Sequence, residues 1–310
     1  MKDESPHTGN HIVVTGGAGF LGSHLCRALL ARGDRVTAID NLSTGRRAAV
    51  ENLMAHPHFT LRTADVTTPG AFDDLATITH IAHLACPGSP KATVRRPTDT
   101  LRTASTGTLA ALDLAASRDA RIVVASGPEI DGDLRNTGQA GDFHIHRLCT
   151  LLAEIIARHY GGVDVGIVRP FEVYGPHQWP GDGRVAATIC AAALRDQTLQ
   201  VIDGDMRSFV YIADTVDALV AMLDSTMTGP VDIGGPTAVT TAEFARTAVA
   251  LAGSGWVEIA PADIIAPTTA HSPDLDRTHA LLGWRPSTPL GNGLRYTLDW
   301  MRTILSPYPP

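Results

Sequence analysis

The feature that most constrains this chain is the glycine-rich segment VVTGGAGFLGSHL at residues 13–25. Gly16, Gly19 and Gly22 form a G-x-x-G-x-x-G pattern between a short apolar run and an amphipathic stretch. Glycines at this spacing allow a tight turn from a strand into a helix, and the N–H groups at the start of that helix can bind a pyrophosphate. The segment therefore predicts a dinucleotide site at the first strand.

The end of the second apolar run indicates which dinucleotide binds. Asp40 lies about twenty residues after the glycines, where a carboxylate can bind a ribose hydroxyl and would repel a 2′-phosphate. The carboxylate favours NAD as the cofactor, whereas Arg46 and Arg47 leave NADP open.

The composition is that of a globular protein. The chain has 310 residues, of which 44% are hydrophobic and 18% are charged, so neither a disordered nor a collagen-like protein is expected. The net charge of −7 argues against a nucleic-acid or anionic-membrane partner.

The cellular location of the protein and the role of its cysteines are predicted from two simple patterns. Residues 1–10 lack the apolar stretch of a signal peptide and are expected to form a flexible leader, so the cytoplasm is the predicted location. The cysteines show no C-x-x-C pair and are expected to pack as small apolar residues in a reducing environment. They are Cys26, Cys86, Cys149 and Cys190.

Short apolar runs alternate with amphipathic stretches from His11 onward, which is typical of β-α-β units. We expect an α/β fold in which a Rossmann doubly wound parallel sheet carries a smaller, partly interleaved C-terminal substrate lobe. The predicted strands are 11–14, 35–40, 59–65, 80–85, 121–126 and 163–170, with helices at 21–32, 98–117 and 143–160. Further helices are predicted near 184–195, 213–224, 241–252 and 290–305.

The expected domains follow from the same pattern. The Rossmann domain is predicted to span 11–175 and the substrate lobe 176–310, with 205–230 returning to the Rossmann domain.

Several motifs together resemble the extended short-chain dehydrogenase/reductase family. The resemblance runs from His11 to about Leu305 and is strongest to NAD-dependent nucleotide-sugar epimerases, dehydratases and decarboxylases, especially UDP-glucuronate decarboxylases. The motifs are TGGAGFLG (15–22), DNLSTGRR (40–47), ADV (64–66), HLACPGSP (83–90), RPFEVYGP (169–176), GDGRV (181–185), RSFVYIAD (207–214) and LLGWRP (281–286).

The resemblance implies a small-molecule substrate, such as a nucleotide sugar, and a homodimer formed through two helices. It also implies that one set of residues lines the NAD site. These are Gly16, Gly19, Phe20, Leu21, Gly22, Asp40, Asn41, Ser43, Thr44, Gly45, Arg46, Asp65, Val66, Leu84, Ala85 and Cys86.

The usual proton-transfer pair of that family is missing from this sequence. Its members use a Tyr-x-x-x-Lys pair, in which the lysine lowers the pKa of the tyrosine below its ordinary value near 10. The only lysines here are Lys2 and Lys91, and neither follows a tyrosine by four residues. The resemblance places His146 in the tyrosine position, Thr150 in the lysine position and Gly127 in the upstream hydroxyl position.

Two residues are candidates for the missing proton chemistry. His146 would titrate near 6.5 without help from a lysine, so it can act as a base at neutral pH. Glu129 occupies a position where the resemblance places an acid close to the sugar. The alternative for both is an ordinary polar surface.

Other interpretations of the same helix start are less favoured. Asp142, His144 and His146 could be metal ligands only in a non-helical backbone, because histidines two apart point to different helix faces, so no metal is predicted. Cys149 is expected to pack rather than to act as a nucleophile.

The predicted substrate anchors partly depart from the family pattern. Ser126, Arg184 and Arg207 are expected to contact substrate, and Arg207 matches an arginine that holds a diphosphate in the family. Glu172 replaces an asparagine and His271 replaces an arginine. Two anions about 4 Å apart repel by roughly 1 kcal/mol in water and by more when buried. Glu172 therefore weakens the case for a diphosphate unless it is protonated or paired with Arg207, and otherwise it is a recruited acid or base or faces solvent.

Three functions remain open from the sequence. The first is a nucleotide-sugar epimerase, dehydratase or decarboxylase with a rebuilt acid–base set. The second is a non-redox lyase, dehydratase or cyclase acting on a small metabolite, with NAD in a structural role. The third is a non-catalytic NAD-binding partner or sensor, since a shared fold does not determine function.

Overall fold

The computed structural model describes residues 9–75, 77–86, 90–128, 143–202, 204, 206–260 and 272–305. Strands and helices alternate through the first half of the chain. The elements there are β1 (His11–Thr15), α1 (Phe20–Arg32), β2 (Arg35–Asp40), β3 (Phe59–Thr63), β4 (His80–His83), α2 (Pro90–Arg95), α3 (Pro97–Arg102), α4 (Thr108–Arg118), β5 (Arg121–Ala125), α5 (Phe143–His159) and β6 (Val165–Pro170).

Shorter strands occur in the second half of the chain. The elements there are β7 (Glu172–Tyr174), α6 (Val185–Leu194), β8 (Thr198–Ile202), β9 (Met206–Arg207), β10 (Phe209–Tyr211), α7 (Ile212–Asp224), β11 (Val231–Ile233), β12 (Val239–Thr240), α8 (Thr241–Ala252), β13 (Trp256–Ala260), α9 (Leu275–Leu282) and α10 (Leu290–Leu305).

Seven strands form one parallel sheet in the order β11-β6-β5-β4-β1-β2-β3. The order reverses on either side of β1, which is the arrangement of a doubly wound Rossmann sheet. This confirms the fold class predicted from the alternation of apolar and amphipathic segments. The carboxyl ends of β1, β2 and β4 meet at one edge of the sheet, where a crevice forms at the reversal point.

Helices cover both faces of the sheet. Because successive side chains of a strand point to opposite faces, each central strand contributes to two cores. Ile12 and Val14 pack into a core with the apolar faces of α1 and α7. Val13, between them, packs into a second core with α4 and α5. All three side chains are fully buried, so the apolar run HIVV forms a central strand rather than an edge strand.

The C-terminal lobe has a separate core. Its helices α6, α8 and α10 pack around Phe209 and Phe244, whose rings stack with centroids 4.0 Å apart. β8 and β13 pair in parallel at the edge of this core. Within the described ranges, no helix combines the length and apolarity needed to cross a membrane.

The structure divides the predicted helix at 98–117 into two α-helices. α3 and α4 are joined by a π-helical turn over Thr103–Gly107. At Gly107 an added Cβ would lie 2.8 Å from Cγ2 of Val66, so the absence of a side chain lets the helix approach the loop after β3. The predicted strands 59–65 and 80–85 each end two residues early, at Thr63 and His83, because the chain leaves the sheet there.

Helix α5 is attached to the sheet by a buried ion pair. Arg169 of β6 donates to both carboxylate oxygens of Glu154, at 3.1 and 2.9 Å. Arg158 donates to the same carboxylate from one turn further along α5, at 2.7 Å. Glu154 is only 2% exposed, so its charge is compensated by these two guanidinium groups rather than by water.

This ion pair predicts a large effect of removing the buried carboxylate. Glu154→Gln should lower the free energy of unfolding by roughly 3 kcal/mol, because it leaves the Arg169 guanidinium buried beside a neutral amide. Urea unfolding measures the change. The exposed Glu258→Gln is the matched control and should alter stability by no more than about 0.5 kcal/mol. A loss below about 1 kcal/mol in Glu154→Gln would contradict the assignment.

Candidate dinucleotide and substrate site

The glycine turn between β1 and α1 brings the helix N-terminus against the end of the sheet. Gly16 adopts a left-handed conformation with φ of 70°, and its N–H donates to the carbonyl of Ile39 at 2.8 Å. At Gly22 an added Cβ would lie 2.1 Å from the carbonyl oxygen of Gly16. Because the N-cap residue is Gly19, no N-cap side chain covers the first N–H groups of α1, which can bind a phosphate.

Asp40 organises the loop after β2. Its carboxylate accepts from the N–H of Ala18 at 3.0 Å and from the N–H of Leu42 at 2.8 Å. The loop returns so closely that an added Cβ at Gly45 would lie 2.7 Å from both carboxylate oxygens. Burial raises the pKa of Asp40 above its ordinary value, and the two N–H donors oppose that shift.

A second pocket continues from the glycine turn past Asp40. Asn41 donates to the carboxylate of Asp65 at 2.7 Å, which joins the loops after β2 and β3. The structure brings many of the predicted cofactor residues together here, and Ile39, Ala64 and, from the π-helical turn, Thr103, which were not predicted, join them. The lining is Gly16, Ile39, Asp40, Asn41, Ser43, Thr44, Ala64, Val66, Ala85, Cys86 and Thr103.

The main cleft lies at the same edge of the sheet and connects the predicted cofactor and substrate residues. Phe20, Leu21 and Leu84 line it together with the glycine turn. The remaining lining residues come mostly from β5, α5, β6, β7 and the loop before α6. They are Asp40, Thr44, Cys86, Ala125, Ser126, Gly127, Pro128, His146, Thr150, Pro170, Phe171, Glu172, Val173, Asp182 and Arg184.

His146 lies in this cleft beside the residues that the sequence places around it. Ser126 and Gly127 line the same cleft from the end of β5, and the hydroxyl of Ser126 donates to the carbonyl of Thr150 at 3.2 Å. Nδ1 of His146 is buried and has no hydrogen-bond partner among the described residues. A buried ring nitrogen of this kind is normally satisfied by a protein group, a water or a ligand.

The expected titration of His146 near 6.5 is wrong. Burial, together with the positive charge of Arg184, lowers the pKa of the imidazole to about 4. Removing a cation from water is costly, and a neighbouring guanidinium adds repulsion. His146 is therefore neutral at pH 7 and can accept a proton or a hydrogen bond, but it is a weaker base than the sequence suggested.

Glu172 forms an ion pair with Arg207. Oε1 of Glu172 accepts from Nη1 of Arg207 at 3.0 Å, so the structure shows the paired alternative considered for this carboxylate. Glu172 also lines the main cleft. Its side chain does not simply face solvent, since only 32% of it is exposed.

A contact between the two lobes was missed by the sequence analysis. The guanidinium carbon of Arg46 lies 3.6 Å from the ring centroid of Trp179, a cation–π geometry. Burial raises the pKa of Asp182, in the same loop as Trp179, and the charges of Arg184, Arg46 and Lys91 oppose the shift. The GDGRV motif pointed to this loop, but no local pattern marks the tryptophan as a partner of Arg46.

Several candidates lie outside the described residues. These are Glu129, Asp142 and His271, together with the side chain of His144, so the second acid and one substrate anchor stay predictions, and the metal alternative stays open. No cluster of three potential metal ligands occurs in the described part of the chain.

The cysteine side chains that line or border the cleft are protonated at neutral pH. Burial raises the pKa of Cys86 to about 12, with a further contribution from Cys149. Burial also raises the pKa of Cys149 to about 11. A thiol in this state is a poor nucleophile, which agrees with the packing role expected for Cys149.

The sheet order, the glycine turn and Asp40 define a dinucleotide-binding protein of the Rossmann class. A family model described as the NAD dependent epimerase/dehydratase family matches residues 12–234. The chain belongs to this family, which confirms the family resemblance, and the predicted cofactor, NAD, is that of the family.

Individual relatives agree with this assignment. UDP-glucuronic acid decarboxylase 1 of Xenopus tropicalis is 35% identical over 309 residues, covering 95% of this chain and 72% of that protein. UDP-glucuronic acid decarboxylase 1 of Arabidopsis thaliana is 36% identical over 312 residues, covering 95% and 71%. The solved UDP-glucose 4-epimerase of Thermus thermophilus, a complex with NAD, superposes with a TM-score of 0.79 at 28% identity, covering 94% and 99%.

The close approach at the glycine turn predicts the effect of a single methyl group. Gly22→Ala should weaken NAD affinity at least tenfold, because its Cβ would push α1 away from the Gly16 carbonyl. Isothermal titration with NAD measures the change. Gly291→Ala in α10 is the matched control, since an added Cβ there meets nothing within 4 Å, and its NAD affinity should equal that of the wild type. Equal affinities in all three proteins would contradict the assignment of this turn.

Proposed function

We propose that this protein is an NAD-dependent enzyme of the epimerase, dehydratase or decarboxylase type. It would act on a hydroxyl-bearing carbon of a carbohydrate, with His146 in place of the family's tyrosine. The observation that supports this most is the buried Nδ1 of His146, which has no partner among the described residues and belongs to the cleft that begins at the glycine turn. The relatives named above are enzymes that act on nucleotide sugars, which supports a carbohydrate substrate.

The residues of the chain fit NAD. The uncapped N-terminus of α1 suits the pyrophosphate, Asp40 suits a ribose hydroxyl, and the glycine turn leaves space that a Cβ would fill. Bound NAD would supply a hydride acceptor at the end of the cleft that contains His146.

His146 would hold the substrate hydroxyl and accept its proton. Its imidazole is neutral at pH 7, so one ring nitrogen is an acceptor before any reaction begins. The positive charge of Arg184 opposes protonation of His146, and an anionic substrate group beside Arg184 would relieve that opposition. Glu129 remains a candidate for a second acid–base group.

The role of His146 predicts a loss of turnover and a characteristic pH profile. His146→Ala should lower turnover at least tenfold, since a well-placed base contributes roughly 10²–10⁴ in rate. The wild-type rate should stay level between pH 6 and 8, because a group with a pKa of about 4 is neutral throughout that range. Chromatography of the sugar product measures turnover, and transient absorbance at 340 nm after adding nucleotide sugars or free sugars to the NAD-loaded protein measures the reduction step.

The control for this experiment is His279→Ala, which removes an exposed imidazole from α9 and should leave turnover unchanged. Unchanged turnover in His146→Ala would overturn the proposed role of His146. A wild-type rate that falls to half as the pH is lowered to 6.5 would also overturn it. Product formation that survives exchange of NAD for a redox-inactive analogue would favour the non-redox alternative instead.

We also propose that the protein is a homodimer. An apolar stripe is exposed on adjacent helices, with Leu101 and Leu109 on the α3–α4 segment and Leu148 and Ile155 on α5. Each of these side chains is more than 40% exposed. The residues of each pair lie seven or eight positions apart, so they share one helix face, and an exposed apolar face of this kind is typical of an interface.

The stripe predicts a dimer that charge would disrupt. Sedimentation equilibrium should give the wild-type protein twice the mass of one chain, and the double variant Leu148→Glu with Ile155→Glu should give the mass of one chain. Trp256→Glu changes an exposed apolar residue on β13, away from these helices, and should leave the dimer intact. A monomeric wild-type protein would contradict the proposal.

A further inference from the structure

The charge of the cleft is unusual for a site expected to bind a substrate diphosphate. Among the described residues that line it, the charged side chains are Asp40, Glu172, Asp182 and Arg184. Three of these four are carboxylates. Phosphate groups repel carboxylates, so a polyphosphate needs further cations nearby. Arg207 is a cation next to the lining, and its charge determines what the cleft can bind at this end.

The ion pair with Arg207 reduces the repulsion that an unpaired Glu172 would exert on a diphosphate, but it also balances the charge of Arg207, the cation that a diphosphate would bind. Glu172 begins β7, which pairs with β10, and Arg207 ends β9, which pairs with β12. The N–H of Glu172 donates to the carbonyl of Ser208 at 3.1 Å, next to Arg207 in the chain. Arg207 is paired through its backbone with Val239 of β12. The ion pair at 3.0 Å is therefore positioned by backbone hydrogen bonds rather than by two flexible surface side chains.

The other cations near the cleft group around a different carboxylate. Asp182 is surrounded by the charges of Arg184, Arg46 and Lys91. Arg46 belongs to the loop that follows β2 and its N–H donates to the carbonyl of Ala18 in the glycine turn, on the dinucleotide side. Among the described residues, these three cations therefore act on Asp182, and Arg46 lies on the side of the glycine turn.

The carboxylate of Glu172 determines which groups a ligand can place against it. An ionised carboxylate only accepts hydrogen bonds, so it recognises donor groups of a ligand. The hydroxyl groups of a sugar are such donors, whereas the oxygens of a diphosphate are acceptors with the same sign of charge.

From this arrangement we infer that Glu172 is a specificity-determining residue that excludes a nucleoside diphosphate from the Arg207 end of the cleft. The substrate class it admits is a carbohydrate that presents hydroxyl groups, and no phosphate, to the Glu172–Arg207 pair. The inference rests on the proposed carbohydrate chemistry of the same cleft but concerns binding alone.

The test measures binding of UDP to the NAD-loaded protein by isothermal titration. Glu172→Gln keeps the shape of the side chain and removes its charge, so UDP should bind at least tenfold more tightly than to the wild type. Glu172→Asn is a second variant with the same expectation. Adding Arg207→Gln to Glu172→Gln should abolish the gain, because the guanidinium is what the diphosphate would bind.

The control is Glu258→Gln, which removes an exposed carboxylate from β13 and should leave UDP affinity at the wild-type value. NAD affinity should be the same in every variant, which shows that the cleft is intact. Wild-type protein that binds UDP as tightly as both Glu172 variants would overturn the inference, as would a gain that survives Arg207→Gln. Since UDP binding requires no turnover, these results are independent of whether His146 transfers a proton.

Discussion

The structure depends on the contact between the N-terminus of α1 and the carboxyl end of β1. Gly22 approaches the Gly16 carbonyl so closely that no side chain fits between them. This contact places uncapped N–H groups at the reversal point of the sheet, where the ends of β1, β2 and β4 meet. Asp40 and the cleft residues are arranged around that point, so the position of the helix determines the position of the site.

In the proposed function, burial rather than a cationic partner determines the protonation of the base. In a Tyr-x-x-x-Lys site, a lysine charge favours loss of a proton from a phenol. Here a buried imidazole is already deprotonated at pH 7, and the nearby guanidinium of Arg184 keeps it so. Both arrangements would provide an acceptor for a substrate proton, but the proposed base His146 would do so with a low pKa and therefore with less driving force.

The sheet could be predicted from the sequence because its signals are local. The apolar run at β1, the glycines after it and Gly33 at the end of α1 are each visible within a few residues. The short strands β9 and β12 could not be predicted, since two residues show no periodicity. Their pairing is a tertiary effect that depends on where the C-terminal lobe folds back.

Many of the residues that form the site could be predicted from the sequence, but the protonation of His146 could not. The family resemblance directed attention to His146, Glu172 and Arg207, and the structure places all three at or beside the cleft. Burial of His146 and the contact of Arg46 with Trp179 depend on segments far apart in the chain, so no local pattern encodes them. A pKa follows from the environment of a group, which only the folded chain determines.

The most direct test of the account is the identity of the nucleotide in the purified protein. The protein would be denatured, and the released nucleotide separated by chromatography and quantified against the chain. The account predicts NAD or NADH, or, if the protein is purified without nucleotide, micromolar or tighter affinity for added NAD that exceeds its affinity for NADP. Bound NADP, or no measurable affinity for either dinucleotide, would contradict the account.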